Sequence, residues 1–195
     1  AVFEKVRISP KRVAFAEGEE DRMIRAANSY AAAGLGRAIL IGRESEIEKT
    51  LAVSGLELHE NVDVLNARIS ERNVDYANYL YERLQRNGFL FRDCQRMANQ
   101  DRNIFAACMV ALGDADALVI ESTYIEEEAE MARQFSHLTA RMAAELAIKA
   151  NVKKLIITHI SRRYREKDVL KEAQAIFPNS VVARDFDSFQ IKREE

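Results

Sequence analysis

This chain of 195 residues contains only two cysteines, and it has no glycine after Gly113. Cys94 and Cys108 fall in a helical stretch without the CxxC spacing of a redox pair or zinc clamp. This favours two buried free thiols over a disulfide or a metal site. We therefore expect a reducing compartment and a cytoplasmic location.

Long apolar runs and an excess of basic charge are also missing. The net charge is −2, and the sequence has no strongly basic block that could bind the phosphates of a nucleic acid. We therefore expect no nucleic-acid partner. No apolar run approaches the roughly 20 residues of a membrane span, and the first residues lack the apolar core of a signal peptide. We therefore expect no membrane association and no export signal.

What the sequence does contain is a regular alternation of short apolar runs with longer segments of helical period. Predicted strands cover residues 12–16, 37–41, 62–65, 115–122, 154–159, 180–183 and 188–191. Predicted helices follow the acidic run 17–21 and cover 44–51, 76–86, 92–112, 136–150 and 166–176. This alternation predicts an α/β fold, a three-layer sandwich with a mostly parallel central sheet and helices on both faces.

Composition changes within the chain, because all seven glycines lie at or before Gly113. No stretch rich in Pro, Gly or Ser marks a linker near residues 114–123, and an apolar strand runs through that segment. We therefore predict a single domain over residues 1–195, with both segments sharing one sheet and the 115–120 strand buried at its centre.

Three blocks in the first half carry a resemblance: PKRVAFAEGEEDRMIRAA at 10–27, GRAILIGRESEIE at 36–48, and MANQDRNIFAACMVALGDADALV at 97–119. Residues 1–118 resemble the phosphate acetyltransferase family, and specifically the phosphotransacetylase-like domain of NADP-dependent malic enzymes. The resemblance implies an acyl-phosphate and coenzyme A cleft between two domains, formed mostly by residues that follow the strand matching 115–119. The sequence departs from the family after Val119, so we expect that cleft to be absent.

The turn at Glu17-Gly18 is the one place in the first half where the residues themselves suggest a ligand site. Backbone N–H groups at a strand-to-helix turn can hold an anion, and Arg22 and Arg25 are nearby cations. The acidic residues in 17–21 would repel phosphate, however, and favour a role as capping charges of the following helix.

Four blocks in the second half carry a different resemblance: IEST at 120–123, SHLTARMAAELA at 136–147, THISRRY at 158–164 and IFPNSVVARDF at 176–186. Residues 116–195 resemble the C-terminal part of ribonuclease Z, of the metallo-β-lactamase superfamily. The resemblance implies that Glu121 and His137 form a carboxylate–imidazole pair for proton transfer, and that His159 is a zinc ligand.

In that family, the remaining ligands of the dinuclear centre lie in the N-terminal part of the protein, to which this sequence shows no resemblance. Zinc generally takes three or more protein ligands, and two-metal hydrolysis needs two such sets. His59 has no metal-ligand neighbours and is predicted to be a loop histidine. As an alternative, His137 is a first-turn helix residue beside a capping Ser136, and His159 is a polar strand end.

These observations lead to one main hypothesis and two alternatives. The main hypothesis is a chimera, engineered or recombined, that is joined within residues 114–123, has no complete active site and is catalytically inactive. The alternatives are a residual phosphate or acetyl-CoA binding module and a weak metal-dependent phosphodiesterase. We expect no cofactor, with at most weak zinc binding.

Association between copies is also expected. Truncation of a parent domain exposes apolar surface that a partner formerly covered. The residues concerned are Phe89, Leu90 and Phe91 and the group Tyr76, Tyr79 and Tyr81. This predicts a homo-oligomer at high concentration.

Overall fold

The computed structural model describes residues 7–135, 137–152, 154–184, 187 and 189. The chain divides into two compact units, one ending at Val119 and the other beginning at Ile120. The single domain over residues 1–195 stays a prediction, but the described strands form two sheets rather than the one shared sheet that we expected. Among the described residues, no helix has both the length and the apolar character needed to span a bilayer.

The first unit is built around a four-stranded parallel sheet with the order β3-β2-β1-β4. Its strands are β1 (Lys11–Phe15), β2 (Gly36–Ile41), β3 (Val62–Leu65) and β4 (Ala117–Val119). Its helices are α1 (Asp21–Ala32), α2 (Glu44–Ser54), α3 (Asn73–Leu84), α4 (Phe91–Gln100) and α5 (Arg102–Ala111).

Both faces of this sheet are buried, which explains why its central strands are apolar at consecutive positions. Side chains alternate along β1, so that Val13 and Phe15 join a cluster with Ile24 of α1. Ala14 joins a second cluster on the opposite face, where Phe105 of α5 is fully buried. The predicted three-layer arrangement, with helices on both faces of a parallel sheet, is therefore confirmed.

Strand β4 differs from the expectation in length and position. The predicted strand 115–122 is reduced to Ala117–Val119, which pairs with β1 at the end of the four-stranded sheet. Its three residues are half-buried, while the flanking Ala115 and Ile120 are buried. The apolar run correctly indicated a strand, but apolar character alone does not distinguish a central strand from a terminal one.

The second unit contains a two-stranded parallel sheet of β5 (Leu155–Ile157) and β6 (Ser180–Val182). Its helices are α6 (Ala129–Gln134), α7 (Ala140–Lys149) and α8 (Glu166–Ile176). An isolated parallel bridge between Glu121 and Thr158 places Glu121 beside the end of β5. The buried side chains of α7 are all alanine, which allows α8 to pack close to it.

Two predicted helices have different bounds because side chains cap their backbones. The predicted helix 92–112 is divided at Asp101, whose extended backbone and carboxylate, accepting from the N–H groups of Asn103 and Ile104, start α5. The predicted helix 136–150 begins instead at Ala140, where the Thr139 hydroxyl accepts from the Met142 N–H. The proposed Ser136 cap lies outside the described residues, as does most of the predicted strand 188–191.

Candidate functional site

The turn that follows β1 approaches the end of β2 closely. The Gly18 N–H donates to the Ile41 carbonyl at 3.1 Å. A Cβ at Gly18 would lie 2.8 Å from the Ile41 nitrogen, closer than real Cβ contacts allow. Glycine is therefore required here, and it brings the turns after two adjacent strands together at the carboxyl edge of the sheet, where α/β proteins commonly bind ligands.

Glu19 occupies this edge with its carboxylate. The carboxylate accepts hydrogen bonds from the Arg43 backbone N–H at 2.9 Å, from Arg43 Nε at 2.9 Å and from Arg43 Nη2 at 3.1 Å. Arg102 Nη1 lies 3.9 Å from the second carboxylate oxygen. The hydrogen bonds from the Arg43 side chain lower the pKa of Glu19, which keeps the carboxylate charged.

The first turn of α1 is acidic as well. Asp21 accepts hydrogen bonds from Arg25 Nε at 2.8 Å and from the Ser54 hydroxyl at 2.6 Å. The hydrogen bond from Arg25 is the main cause of its lowered pKa. The structure therefore supports capping charges at this helix start rather than an anion site, because Arg25 is already paired with a carboxylate of its own helix.

Glu121, in the second unit, carries a buried carboxylate, with 1% of the residue's surface exposed. One carboxylate oxygen accepts from the Thr123 N–H at 2.5 Å, and the other accepts from the Leu138 N–H. The second oxygen also lies 3.4 Å from His137 Nδ1. The carboxylate therefore connects the segment after β4 to the residues that precede α7.

His137 and His159 lie beside each other near Glu121. Their ring centroids are 5.9 Å apart at an interplanar angle of 75°. His159 has a left-handed backbone with φ of 55°, and its carbonyl accepts from the Thr123 hydroxyl at 3.2 Å. The structure thus brings together the three residues selected from the sequence, in the second unit, while their catalytic and metal-binding roles stay predictions.

The local setting of His137 corrects the helical alternative. His137 lies ahead of α7 rather than in its first turn, and its N–H donates to the Ala132 carbonyl at 2.8 Å. Thr139 is the residue that caps α7. His137 is therefore held by the turn between α6 and α7, a position that helical periodicity alone did not distinguish from a helix start.

Arg163 belongs to a basic run after His159, and the sequence did not indicate the side chains that it contacts. Its guanidinium lies 5.3 Å from the Tyr124 ring centroid and 5.7 Å from that of Tyr164, and Nη2 lies 3.2 Å from the Glu128 carboxylate. The Tyr164 hydroxyl donates to Glu128, and desolvation with this hydrogen bond raises the pKa of Tyr164 to about 12. Tyr164, at the end of the THISRRY block, was the feature of the sequence that could have indicated this group. Tyr124 and Glu128 lie too far away in the sequence to be recognised as its partners.

The third histidine and the two thiols belong to the first unit, where they lie in a loop and in the core. His59 lies in a loop, where its Nδ1 accepts from the Asn61 N–H at 3.1 Å, as a loop histidine should. Cys94 and Cys108 are free and buried, which confirms the expectation from their spacing. Desolvation raises the pKa of Cys108 to about 12, so its thiol is a poor nucleophile at neutral pH.

Comparison with known proteins gives two sets of relatives. The chain is 52% identical to an NADP-dependent malic enzyme of Rhizobium meliloti over 119 residues, which are 60% of this chain and 16% of that protein. It is 50% identical to a ribonuclease Z of Bradyrhizobium diazoefficiens over 76 residues, which are 39% of this chain and 25% of that protein. The chain therefore spans a quarter or less of these relatives.

Structural comparison supports the fold. The EutD phosphotransacetylase from Staphylococcus aureus matches with a TM-score of 0.55 and 16% sequence identity, covering 94% of this chain and 70% of that chain. A phosphotransacetylase from Streptococcus pyogenes matches with a TM-score of 0.53 at 18% identity, covering 93% of this chain and 71% of that chain.

The family model for phosphate acetyl/butaryl transferase matches residues 1–154. The match runs beyond Val119, where the sequence resemblance was expected to end, so the departure from the family after that residue is less complete than predicted. Most of the chain is covered by this one model. The protein belongs to the phosphate acetyl/butaryl transferase family.

Proposed function

We propose that this protein is a non-catalytic phosphotransacetylase-type α/β protein in which a malic-enzyme-like segment is joined to a ribonuclease-Z-like segment within residues 114–123. The two sets of relatives support the junction, because the malic enzyme matches 60% of the chain and the ribonuclease Z matches 39% of it. The boundary between the two compact units, after Val119, falls inside the same segment.

One observation on the structure supports the proposed lack of transferase activity: Glu19 already occupies the hydrogen-bond donors of Arg43. An acyl phosphate or a coenzyme A phosphate is held by charge-assisted hydrogen bonds from arginine and from backbone N–H groups. At this sheet edge, the Arg43 guanidinium and the Arg43 backbone N–H both already donate to Glu19. A phosphate would have to displace a charged carboxylate before it could use these donors.

The test is an assay of acetyl transfer between acetyl phosphate and coenzyme A, combined with calorimetric titration of inorganic phosphate and acetyl-CoA. We expect no transfer above the uncatalysed rate and no saturable binding by the wild-type protein. Glu19→Gln removes the competing charge and should allow weak phosphate binding. Glu20→Gln, at the neighbouring exposed carboxylate, is the matched control and should not. Transfer by the wild-type protein would contradict the proposal.

A second candidate function, metal-dependent phosphodiester hydrolysis, is favoured by the grouping of Glu121, His137 and His159. The donor set does not suit a dinuclear zinc centre. Both oxygens of Glu121 already accept backbone N–H groups, and two imidazoles supply too few ligands for two ions. These residues suit at most one weakly held ion.

Hydrolysis of an activated phosphodiester in added zinc or manganese separates the two candidates. The non-catalytic proposal predicts rates equal to buffer containing the same metal. His159→Ala is the informative variant, and His59→Ala is the control because His59 lies in a loop of the first unit. Wild-type turnover that persists in His59→Ala and disappears in His159→Ala would establish the second function and overturn the first.

A further inference from the structure

The Thr123 hydroxyl lies between the two histidines of the second unit. Its oxygen is 3.2 Å from the His159 carbonyl oxygen and 3.4 Å from His137 Nδ1. A carbonyl oxygen only accepts hydrogen bonds, so the single hydroxyl proton of Thr123 is directed to His159. The hydroxyl can therefore offer His137 only a lone pair.

The other neighbour of His137 Nδ1 is also an acceptor. Oε1 of Glu121 lies 3.4 Å from this nitrogen, and the same oxygen accepts the Leu138 N–H, so it acts as an acceptor here. A neutral imidazole carries one proton, on either Nδ1 or Nε2. Since these two described neighbours of Nδ1 both act as acceptors, the proton belongs on Nδ1 and the lone pair belongs on Nε2.

Thr123 also acts on the backbone of the second histidine. His159 adopts a left-handed conformation, which is disfavoured for a residue that carries a Cβ and persists only where neighbouring contacts hold it. The hydrogen bond from Thr123 to the His159 carbonyl is such a contact. One hydroxyl thus contacts both the ring of His137 and the turn that presents His159.

We infer that Thr123 is a positioning residue that, together with Glu121, holds His137 in its Nδ1–H form and couples this imidazole to the His159 turn. The arrangement leaves Nε2 of His137 as an acceptor for a hydrogen-bond donor such as water or an alcohol. The inference concerns the ground state of the imidazole and goes beyond the proposed function, since it holds whether or not the chain hydrolyses any substrate.

The experiment is long-range ¹H–¹⁵N correlation spectroscopy of the full-length protein, in buffer alkaline enough to keep imidazole neutral. The chain has three histidines, so their signals are assigned by single substitutions, and His59 serves as the internal reference outside the cluster. The wild-type protein should show His137 in a single Nδ1–H form. Thr123→Ser retains the hydroxyl and should keep this pattern.

Thr123→Val retains the shape of the side chain but removes the hydroxyl. We expect His137 to become a mixture of both tautomers and the His159 backbone amide to shift, while the His59 pattern stays unchanged. A general loss of structure would instead alter all three histidines and lower the melting temperature.

Three results would overturn the inference: an Nε2–H pattern for His137 in the wild-type protein, an unchanged Nδ1–H pattern in Thr123→Val, or equal effects of the valine and serine substitutions. If Thr123→Val does not fold, the wild-type pattern and Thr123→Ala replace it. An Nδ1–H pattern that survives in Thr123→Ala assigns the tautomer to Glu121 alone and rejects the role of Thr123.

Discussion

Glu19 and Arg43, 24 residues apart in sequence, join the turn after β1 to the turn after β2 through three hydrogen bonds. Both the side chain and the backbone of Arg43 donate, so the pair fixes the relative position of two loops rather than merely neutralising charge. Arg43 is also the N-cap residue of α2, which means that this contact orients the start of a helix.

The first prediction is that Glu19→Gln destabilises the protein by roughly 1 kcal/mol at neutral pH, because the charge-assisted hydrogen bonds are weakened while the shape is retained. The difference from wild type should depend on pH. The folded-state pKa of Glu19 lies below its ordinary value of 4.5. The stabilisation is therefore complete above pH 4.5 and is lost as the pH falls through the lowered value. Urea unfolding from pH 7 to pH 3 measures this difference, and a pH-independent difference would contradict it.

The second prediction concerns cooperativity between the two units. Phe105 is fully buried and meets Tyr76 edge-on at a centroid distance of 4.9 Å. Phe105→Ala should cost about 3–5 kcal/mol through lost contacts and a cavity in the first unit. In a single cooperative domain, amides of both units lose hydrogen-exchange protection together in this variant.

Val169→Ala is the matched substitution in the second unit, because Val169 is also fully buried. It should lower the same unfolding transition by a smaller amount. Separate transitions, with each variant affecting its own unit alone, would show that the single-domain prediction is wrong.

The third prediction concerns Arg163, which contacts Tyr124, Tyr164 and Glu128. Arg163→Lys keeps the charge but loses the flat guanidinium that stacks on aromatic rings, so we expect a loss of about 1 kcal/mol in stability. Arg162→Lys, at the adjacent exposed residue, is the control and should change stability by less than about 0.5 kcal/mol. Thermal unfolding compares the two, and equal effects would contradict a specific role for Arg163.

The fourth prediction is concentration-dependent association of the full chain. Phe89, Leu90 and Phe91 are exposed by 39%, 50% and 38% and are consecutive, which forms an apolar surface near the start of α4. Tyr76, which was grouped with them from the sequence, is buried and does not contribute. Sedimentation velocity should show dimers at high concentration in wild type and fewer in Leu90→Glu. A monomer at every concentration would contradict the prediction.

The sequence alone determined the features that depend on local pattern. The bounds of β3 at Val62–Leu65 and of α8 at Glu166–Ile176 agree with the prediction, because apolar periodicity and flanking polar residues are local signals. The buried thiols and the α/β class were also predictable from spacing and alternation. The identities of Glu121, His137 and His159 came from resemblance to a family rather than from periodicity.

Only the tertiary structure decided which side chains meet. The break at Asp101 and the start of α7 at Ala140 depend on side-chain hydrogen bonds to backbone N–H groups, which the apolar periodicity of the sequence does not reveal. The contact between Thr123 and the left-handed turn at His159 joins residues 36 positions apart. Such contacts depend on the packing of whole elements, because hydrogen-bond geometry requires atomic positions that local sequence does not specify.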